Sequence, residues 1–341
     1  MEKDLYKYTP ITLLISYRIN TYIYIEYKII MAANNTISKL FVVGGSGFVG
    51  RAICERAVKM PKEIIGTVQS FSRRGVPESA TMENSNNIWL NNERMEWTAL
   101  SVTKDNHDNS NLKTAIEESV AKGEKFAVLC SVGALFENEK YKSFLEKPEN
   151  LSPFAGNNNN NNNTTTYDQI NRDVCISIVD TVETCILENN SNENNKNNNN
   201  RVPFVFISAF TTPPGVSQHY INSKREAEEY IMEKQHILEP IILRPGFLYD
   251  ESRPASMGIA AALKTASSTS TFLDTFIKQS PLPNAIMKEI NNIHNVKDML
   301  QAPPLRVTEV ADCILTTLIG GGNHSSILYP KDILQLSKSG L

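Results

Sequence analysis

The sequence predicts an α/β protein whose main body is a doubly wound parallel sheet, followed by a small C-terminal region. Three observations favour this class. A β-branched apolar run at 40–43 leads into a glycine-rich turn and then into a segment with helical apolar spacing. Further short apolar runs alternate with helical patterns downstream, as in βαβ units. A later strand and helix, within 202–230, repeat the arrangement with polar residues at their junction.

The turn after the first strand carries Gly44, Gly47 and Gly50 in the spacing G-x-x-G-x-x-G. Between a strand and a helix, the first glycine permits a tight turn, the second lets the backbone approach a pyrophosphate, and the third lets the helix pack closely. Free amides at the positive end of the helix dipole would hold the phosphates. A glycine turn in an unrelated α/β protein is the alternative, but both flanks favour nucleotide binding. The expected contact residues are Gly44, Ser46, Gly47, Phe48, Val49 and Gly50.

A second strand, predicted over 63–71, ends in two arginines, Arg73 and Arg74. In this fold an acidic residue here binds the ribose 2′-hydroxyl, whereas arginine accommodates a 2′-phosphate. Arg73 lies 23 residues after Gly50, about the expected offset, and no acid stands beside it. The pair therefore favours NADP(H) over NAD(H), with a solvated basic turn as the alternative.

The next strands place further candidates along a bound dinucleotide. A third strand is predicted over 97–102, a helix over 112–120, and a continuous apolar fourth strand over 126–130. The fourth strand runs into Ser131 and Gly133, where this fold passes backbone along the cofactor riboses. A plain turn at a strand end would look much the same.

A serine, a tyrosine and a lysine mark the later strand–helix junction. The fifth strand ends at Ser208, and twelve residues later Tyr220 and Lys224 occupy positions i and i+4 of a helix. A nicotinamide transfers hydride at carbon, so an acid or base must handle the proton on oxygen. A nearby ammonium and the oxidised nicotinamide would favour the phenolate. We therefore expect Tyr220 to transfer the proton, Ser208 to hydrogen-bond the substrate oxygen, and Lys224 also to hold the nicotinamide ribose; a surface helix pair is the alternative.

Composition excludes several function classes. The chain has 341 residues, a formal net charge of -3 and a pI near 6.0, so no basic surface for nucleic acid is indicated. Its five cysteines are scattered without C-x-x-C pairs, which favours reduced buried thiols over disulfides or a metal site. The five histidines also lack ligand spacing.

Several segments interrupt this pattern. Residues 1–37 are interpreted as a disordered tail or a mis-called extension, because no uncharged run reaches the ~18 residues of a membrane span and no clear targeting peptide is present. An interfacial anchor is the minority alternative. Asparagine tracts at 157–166 and 189–200 are expected to be disordered surface-loop insertions, which bracket one helix over 167–187. The dinucleotide-binding domain is therefore placed at 38–250.

The remaining region, 251–341, is expected to pack on the same domain as a small cap. A sixth strand over 240–251 is broken by Arg244, Pro245 and Gly246, and Arg253 beyond it is expected to face substrate. The other predicted elements are helices at 260–266 and 272–277, a helix ending at 318, and a short strand at 326–329. No charge cluster here would bind a sugar diphosphate, so a small apolar substrate is expected; a purely structural lid is the alternative.

Four stretches, 44–50, 131–138, 220–227 and 244–251, resemble the atypical short-chain dehydrogenase/reductase (SDR) family. This Rossmann-fold family includes the NAD(P)-binding accessory subunit of respiratory complex I. Within it, residues 38–340 are most similar to the fungal SDR-like proteins of the coenzyme Q biosynthetic complex. By resemblance, Pro245 and Gly246 border the nicotinamide and Asn171 lies near the active site. Ser101-Val102 departs from the Asp-Val that relatives place against the adenine.

The resemblance implies a mitochondrial protein, on the matrix side of the inner membrane, with peripheral membrane association and a role in ubiquinone synthesis. Its implied partners are proteins of the coenzyme Q biosynthetic complex. Two hypotheses remain open. One is an NADP(H)-dependent reductase of an apolar carbonyl or quinone-type intermediate. The other is a non-catalytic, cofactor-binding scaffold, which the short loop with Pro213, Pro214 and Gly215 also favours. A sugar-nucleotide epimerase is a lesser third alternative.

Overall fold

The structure is a computed structural model that describes residues 36–77, 88–102, 107–133, 167–190, 201–212, 216–267, 302–320 and 326–339. Several predicted features lie outside these residues: nearly all of the N-terminal extension, the first asparagine tract, most of the second, the 213–215 loop segment and the helix at 272–277. All five cysteines are inside them, and each is buried and free.

The described residues form strands and helices in alternation. The strands are β1 (Ile37–Val43), β2 (Ile65–Ser72), β3 (Met95–Ala99), β4 (Ser101–Val102), β5 (His107–Asp108), β6 (Phe126–Cys130), β7 (Val202–Ile207), β8 (Leu238–Leu243), β9 (Leu248–Tyr249), β10 (Leu305–Arg306) and β11 (Ile327–Leu328). The α-helices are α1 (Phe48–Lys59), α2 (Ser110–Ala121), α3 (Val174–Asn190), α4 (Gln218–Glu233), α5 (Pro254–Ser267), α6 (Val307–Gly320) and α7 (Pro330–Ser339). A 3₁₀ turn spans Ile88–Asn91, and a π-helical segment, Asp168–Asp173, precedes α3.

Seven of the described strands form one parallel sheet in the order β11-β8-β7-β6-β1-β2-β3. The order runs outward from β1 in both directions, so the chain changes direction across the sheet between β1 and β6. In open α/β sheets, ligands bind at this switch point, outside the carboxyl ends of the strands. The predicted fold class, a doubly wound parallel sheet of the Rossmann type, is confirmed.

Both faces of the sheet are covered, which explains why its strands are continuous apolar runs. Along β1, Leu40 and Val42 point to a core formed with α1 and α6, while Phe41 and Val43 point to a core formed with α2, α3 and α4. All four of these side chains are buried. The switch point is therefore held rigidly from both sides.

Some elements differ from the sequence-based expectations. The strand expected over 97–102 begins at Met95 and ends at Ala99. The Leu100 amide still donates to Ser72 O on β2 (2.9 Å), and the chain then leaves the sheet and pairs β4 antiparallel with β5. The helix expected to end at 318 is present as α6, which ends at Gly320. Helix α7 was not predicted from the sequence. Among the described residues, none of the helices combines the length and apolar character that a membrane span requires.

Candidate dinucleotide site

The glycine turn lies at the carboxyl end of β1, beside the switch point. Gly44 has φ +93°, a conformation that L side chains rarely adopt, and its amide donates to Phe71 O on β2 (2.7 Å). The Gly47 amide then donates back to Gly44 O (2.8 Å), which closes the turn and points the chain into α1. The tight turn predicted at Gly44 therefore depends on a backbone conformation that glycine adopts readily and other residues rarely do.

Close packing explains the third glycine. A Cβ on Gly50 would overlap the carbonyl oxygen of Gly44 and lie 2.6 Å from Ser131 Oγ, so α1 approaches the turn only because no side chain is present. Gly45 is equally constrained, since a Cβ there would overlap the Ser70 hydroxyl. The sequence analysis missed Gly45, because the spacing motif assigns no role to that position.

The amino end of α1 is formed by backbone. Gly47 is the N-cap residue, its backbone is extended (φ -76°, ψ 175°), and no side chain caps the helix. The first turn of α1 contains no acidic residue. Ser46 and Gly47 are exposed, whereas Phe48 and Val49 are half-buried. Amides and helix dipole together make such an end suitable for an anion.

Ser131 and Gly133 follow β6 on the other side of the switch point. The Ser131 amide and hydroxyl both donate to Val43 O, at 2.9 and 3.1 Å, so Ser131 ties the ends of β1 and β6 together. Gly133 is exposed, and a Cβ there would lie 2.8 Å from Lys224 Nζ and 3.1 Å from Asn171 Oδ1. The structure therefore brings Gly133, Asn171 and Lys224 together, although they are far apart in sequence.

Arg73 and Arg74 lie at the tip of a tight turn after β2. The Gly75 amide donates to Ser72 O (3.0 Å), the Ser72 hydroxyl donates to Gly75 O (3.1 Å), and Gly75 has φ +65°. Both arginine side chains are exposed. The turn places them at the carboxyl edge of β2, on the same edge of the sheet as the glycine turn.

Lys224 is buried under the loop after β6. Its ammonium donates to Val132 O (3.2 Å) and Ile207 O (3.0 Å) and lies 4.7 Å from the centre of the Phe206 ring. Burial lowers the pKa of this ammonium, while the thiols of Cys130 and Cys175 act in the opposite direction. Lys224 therefore joins the loops that follow β6 and β7, and it stands next to the expected position of the riboses.

Tyr220 lies in a small apolar cluster with Tyr167, Ala209 and Ile221. Its ring meets that of Tyr167 edge to face, with centroids 5.8 Å apart. Burial raises the pKa of the Tyr220 hydroxyl well above its ordinary range, and Tyr167 acts in the same direction, opposed by Arg225. Without a bound cofactor, the phenolate expected from the Tyr-x-x-x-Lys spacing is thus disfavoured.

Ser208, the third predicted catalytic residue, is buried and engaged in an ionic network. Its hydroxyl donates to the Glu228 carboxylate and accepts from Arg225 Nη1 (3.1 Å). Arg244 donates to the same carboxylate through Nε (3.1 Å) and through Nη2. Arg244 Nη1 also donates to the Tyr329 hydroxyl (3.1 Å). We call these residues the Glu228 network; they are Ser208, Arg225, Glu228, Arg244 and Tyr329.

The Glu228 network fixes two turns at the carboxyl edge of the sheet. Arg225 Nη2 donates to the carbonyls of Ala209 (2.9 Å) and Phe210 (3.2 Å), and the Phe210 amide donates to Pro245 O (2.9 Å). Gly246 packs near Ala302, which a Cβ at Gly246 would approach to 3.3 Å. The predicted residues Pro245 and Gly246 therefore lie beside the loop that follows β7.

Sequence analysis missed Glu228 because Arg225, Glu226, Glu228 and Glu229 are typical of a solvated helix face. One feature of the sequence does indicate that Glu228 is buried. Glu228 follows Lys224 by four positions and precedes the buried Ile231 by three, so it lies on the inward face of α4. An acid on that stripe needs cationic partners, and the Arg244-Pro245 turn supplies one.

The comparisons with known proteins follow this geometry. No family model matches the chain. The MIOREX complex component 2 of Saccharomyces cerevisiae is 34% identical over 229 residues, which cover 64% of this chain and 76% of the yeast protein.

Similar solved structures include a short-chain dehydrogenase/reductase from S. cerevisiae, with 14% identity, a TM-score of 0.49, and coverage of 89% of this chain and 100% of that one. A short-chain type dehydrogenase/reductase from Mycobacterium ulcerans has 11% identity and a TM-score of 0.45, covering 88% of this chain and 90% of that one. The Bordetella bronchiseptica enzyme WbmF, in complex with NAD+ and UDP, has 16% identity and a TM-score of 0.43, covering 87% of this chain and 73% of that one.

The strand order, the glycine turn at the switch point and the Tyr220–Lys224 pair on α4 define a protein of the SDR type, as the sequence motifs predicted. Within that class, the chain belongs to the same family as the yeast MIOREX complex component 2.

Proposed function

We propose that this protein binds a nicotinamide dinucleotide, NADP(H) in preference to NAD(H), and serves ubiquinone (coenzyme Q) biosynthesis as a subunit of a mitochondrial complex. The observation that carries the binding function is the glycine turn. Gly44, Gly45 and Gly50 are packed so closely that side chains are excluded, and the exposed residues Ser46 and Gly47 lie beside the switch point. Such a turn suits a diphosphate.

The preference for NADP(H) is supported by the turn after β2. Arg73 and Arg74 are exposed at the edge where the adenine ribose would lie, and the tight Ser72–Gly75 hydrogen bonds fix that turn. A guanidinium can accept a 2′-phosphate through paired N–H donors. Residues 72–76 contain no acidic side chain that could bind a free 2′-hydroxyl.

The geometry supports cofactor binding without proton transfer better than it supports catalysis. Ser208 donates its hydroxyl to Glu228, and Tyr220 is buried against Tyr167 with a raised pKa. The Ser208 hydroxyl is thus occupied within the protein, and burial disfavours ionisation of the Tyr220 hydroxyl. A cofactor-binding scaffold that stabilises an enzyme complex fits these facts, and the name of the yeast relative as a complex component is consistent with it.

A second candidate function is reduction of an apolar carbonyl or quinone-type intermediate. It is supported by Ser208, Tyr220 and Lys224, which all occur on the elements where SDR chemistry needs them. A bound nicotinamide would supply hydride at carbon. Lys224, beside Gly133, would hold the ribose, and its ammonium together with the nicotinamide charge would have to offset the burial that disfavours ionised Tyr220.

The location and partners are proposed from the resemblance to the coenzyme Q family members. We expect the protein on the matrix side of the inner mitochondrial membrane, peripherally associated, together with proteins of the coenzyme Q biosynthetic complex. Cells that lack the protein should contain less ubiquinone, and affinity purification of the tagged full chain should recover those proteins. Normal ubiquinone content in such cells would contradict the proposed pathway.

Cofactor binding is tested by titrating the purified full chain with NADPH and with NADH, followed by the change in dinucleotide fluorescence. We expect NADPH to bind more tightly, and native mass spectrometry should show which dinucleotide is bound after purification. Replacing both Arg73 and Arg74 with alanine should weaken NADPH about tenfold and leave NADH unchanged, since a lost charged hydrogen bond costs roughly 1.5–3 kcal/mol. A chain that binds neither dinucleotide would overturn the proposal.

The two candidate functions are separated by one variant. Tyr220→Phe removes the proton-transfer group but retains the ring contact with Tyr167. If the protein is a scaffold, this variant should restore ubiquinone content to deficient cells as well as the natural chain does. If it is a reductase, rescue should fail although NADPH binding is unchanged. Oxidation of NADPH by the purified protein with a pathway intermediate would exclude the strictly non-catalytic form.

A further inference from the structure

A stacked arginine stands at the amino end of α1. The Arg253 guanidinium carbon lies 3.7 Å from the centre of the Phe48 ring, and Phe48 is the first residue of α1, directly after the N-cap Gly47. This is the shortest of the described cation–ring distances. Sequence analysis expects the segment that contains Arg253 to face substrate; the structure places the Arg253 guanidinium over the first residue of α1.

The backbone at Arg253 is fixed by the turn that precedes α5. Its amide donates to Asp250 O (3.0 Å), and its carbonyl accepts from the amide of Ser256 (2.8 Å) and from the Ser256 hydroxyl (2.6 Å). This turn follows β9. Strand β9 pairs with β10, and β10 leads directly into α6. Arg253 is therefore attached to the helix that covers α1.

Helix α6 in turn packs on α1. Val310 and Ile314 share a buried core with Ile53 and Ala57, and Arg56 on α1 pairs with Asp312 on α6 (3.2 Å). The stack of Arg253 on Phe48 is thus one contact of a larger, well-packed interface. The guanidinium is held in a defined position relative to the glycine turn before any ligand binds.

Electrostatics indicates what belongs between these groups. The amino end of α1 carries the positive end of the helix dipole, and its first turn contains no acidic residue. Because the guanidinium and this helix end are both positive, an anion close to both is stabilised by both. A planar guanidinium offers paired N–H donors that match the oxygens of a phosphate. Its position over Phe48, the first residue of α1, suits an oxyanion bound at the amino end of that helix.

We propose that Arg253 binds the diphosphate of the nicotinamide dinucleotide, with Phe48 as the platform that orients its guanidinium. This inference rests on the proposed cofactor binding and adds a contact that the glycine motif does not contain. Because the diphosphate is common to both cofactors, Arg253 contributes equally to NADPH and NADH. Arg73 and Arg74, by contrast, contribute to the affinity for NADPH and not to that for NADH.

The test compares dinucleotide affinities of purified full-length variants. Arg253→Ala should weaken NADPH and NADH by similar factors of about ten or more, the loss of a charge-assisted hydrogen bond. The matched control is Arg306→Ala on β10, which removes an exposed arginine that pairs with Glu251 in the same region; it should leave both affinities within about twofold. Phe48→Leu should weaken both cofactors by a smaller factor, since the charge remains but the platform is lost.

The outcomes separate this inference from the proposed function. If the natural chain binds neither dinucleotide, cofactor binding itself fails. If the natural chain binds and Arg253→Ala binds both cofactors equally well, the arginine serves only to attach α5, and the inference is overturned. Should Arg253→Ala not fold, Arg253→Lys replaces it, because lysine keeps the charge and loses the planar stack. Unchanged affinity in that variant would likewise overturn the inference.

Discussion

The two halves of the candidate site are built in opposite ways. At the glycine turn, side chains are excluded, Ser46 and Gly47 are exposed, and the helix end is left without a side-chain cap. At the Ser208–Tyr220 end, both side chains are buried and the Ser208 hydroxyl donates to Glu228. The first half is formed by backbone, whereas in the second half the serine hydroxyl is already satisfied by the protein. Recognition of a dinucleotide and chemistry on a substrate therefore need not occur together in this fold.

The largest effect is expected from Glu228→Gln, which tests whether the second half is held by its ionic network. The substitution leaves Arg225 and Arg244 partly buried without their shared carboxylate. We expect the free energy of unfolding to fall by about 3–5 kcal/mol, measured by urea denaturation. Dinucleotide affinity, measured well below the melting temperature, should change little, because the network does not reach the glycine turn.

The control for this variant is Glu229→Ala, one residue along α4, where the side chain is exposed. It should change stability by less than about 0.5 kcal/mol. Equal stability losses at 228 and 229 would show that the network does not hold the second half of the site.

Gly50→Ala tests the first half. The added methyl would overlap the Gly44 carbonyl, so α1 must move away from the turn. Stability should fall by about 1–3 kcal/mol, and dinucleotide affinity should be lost to a greater degree than in Glu228→Gln. Gly258→Ala is the matched control, since nothing lies within 4 Å of a Cβ there. Because Gly258 lies in the interior of α5, Gly258→Ala should leave the free energy of unfolding unchanged or raise it by roughly 0.5–1 kcal/mol. Undiminished cofactor binding by Gly50→Ala would contradict the argument that close packing at Gly50 shapes the turn.

The smallest effect concerns the pH dependence of stability at Tyr220. Burial raises its pKa in the folded state above the value near 10 of an exposed tyrosine. The folded state therefore keeps a proton that the unfolded chain releases, so the stability of the natural chain relative to Tyr220→Phe is constant below about pH 9 and falls as the pH rises through 10. Denaturation of both proteins between pH 8 and 10.5 measures the difference. A relative stability that rises with pH would show an ionised Tyr220 stabilised in the fold.

The sequence predicts the sheet well, for a simple physical reason. Strands such as β1 and β6 are buried on both faces, so they are continuous apolar runs that local pattern reveals. The role of Gly44, Gly47 and Gly50 also follows from local chemistry, because a turn between a strand and a helix is specified within a few residues.

The parts that escaped prediction depend on contacts between distant residues. Ser208 was found, but the partner of its hydroxyl is Glu228, 20 residues later and among several similar acids. Nothing local shows that Arg253 stacks on Phe48, or that the apolar face of α6 covers α1. Periodicity identifies a buried face, but it does not identify the element that buries it.

The contact between α1 and α6 has a consequence for synthesis of the chain. Ile53 and Ala57 leave the ribosome well before Val310 and Ile314, which cover them and lie about 250 residues later in the chain. At cellular elongation rates the interval is on the order of tens of seconds. During that time the side of the nascent α1 that α6 will cover stays exposed, so this apolar surface is open to non-native contacts until α6 has been made.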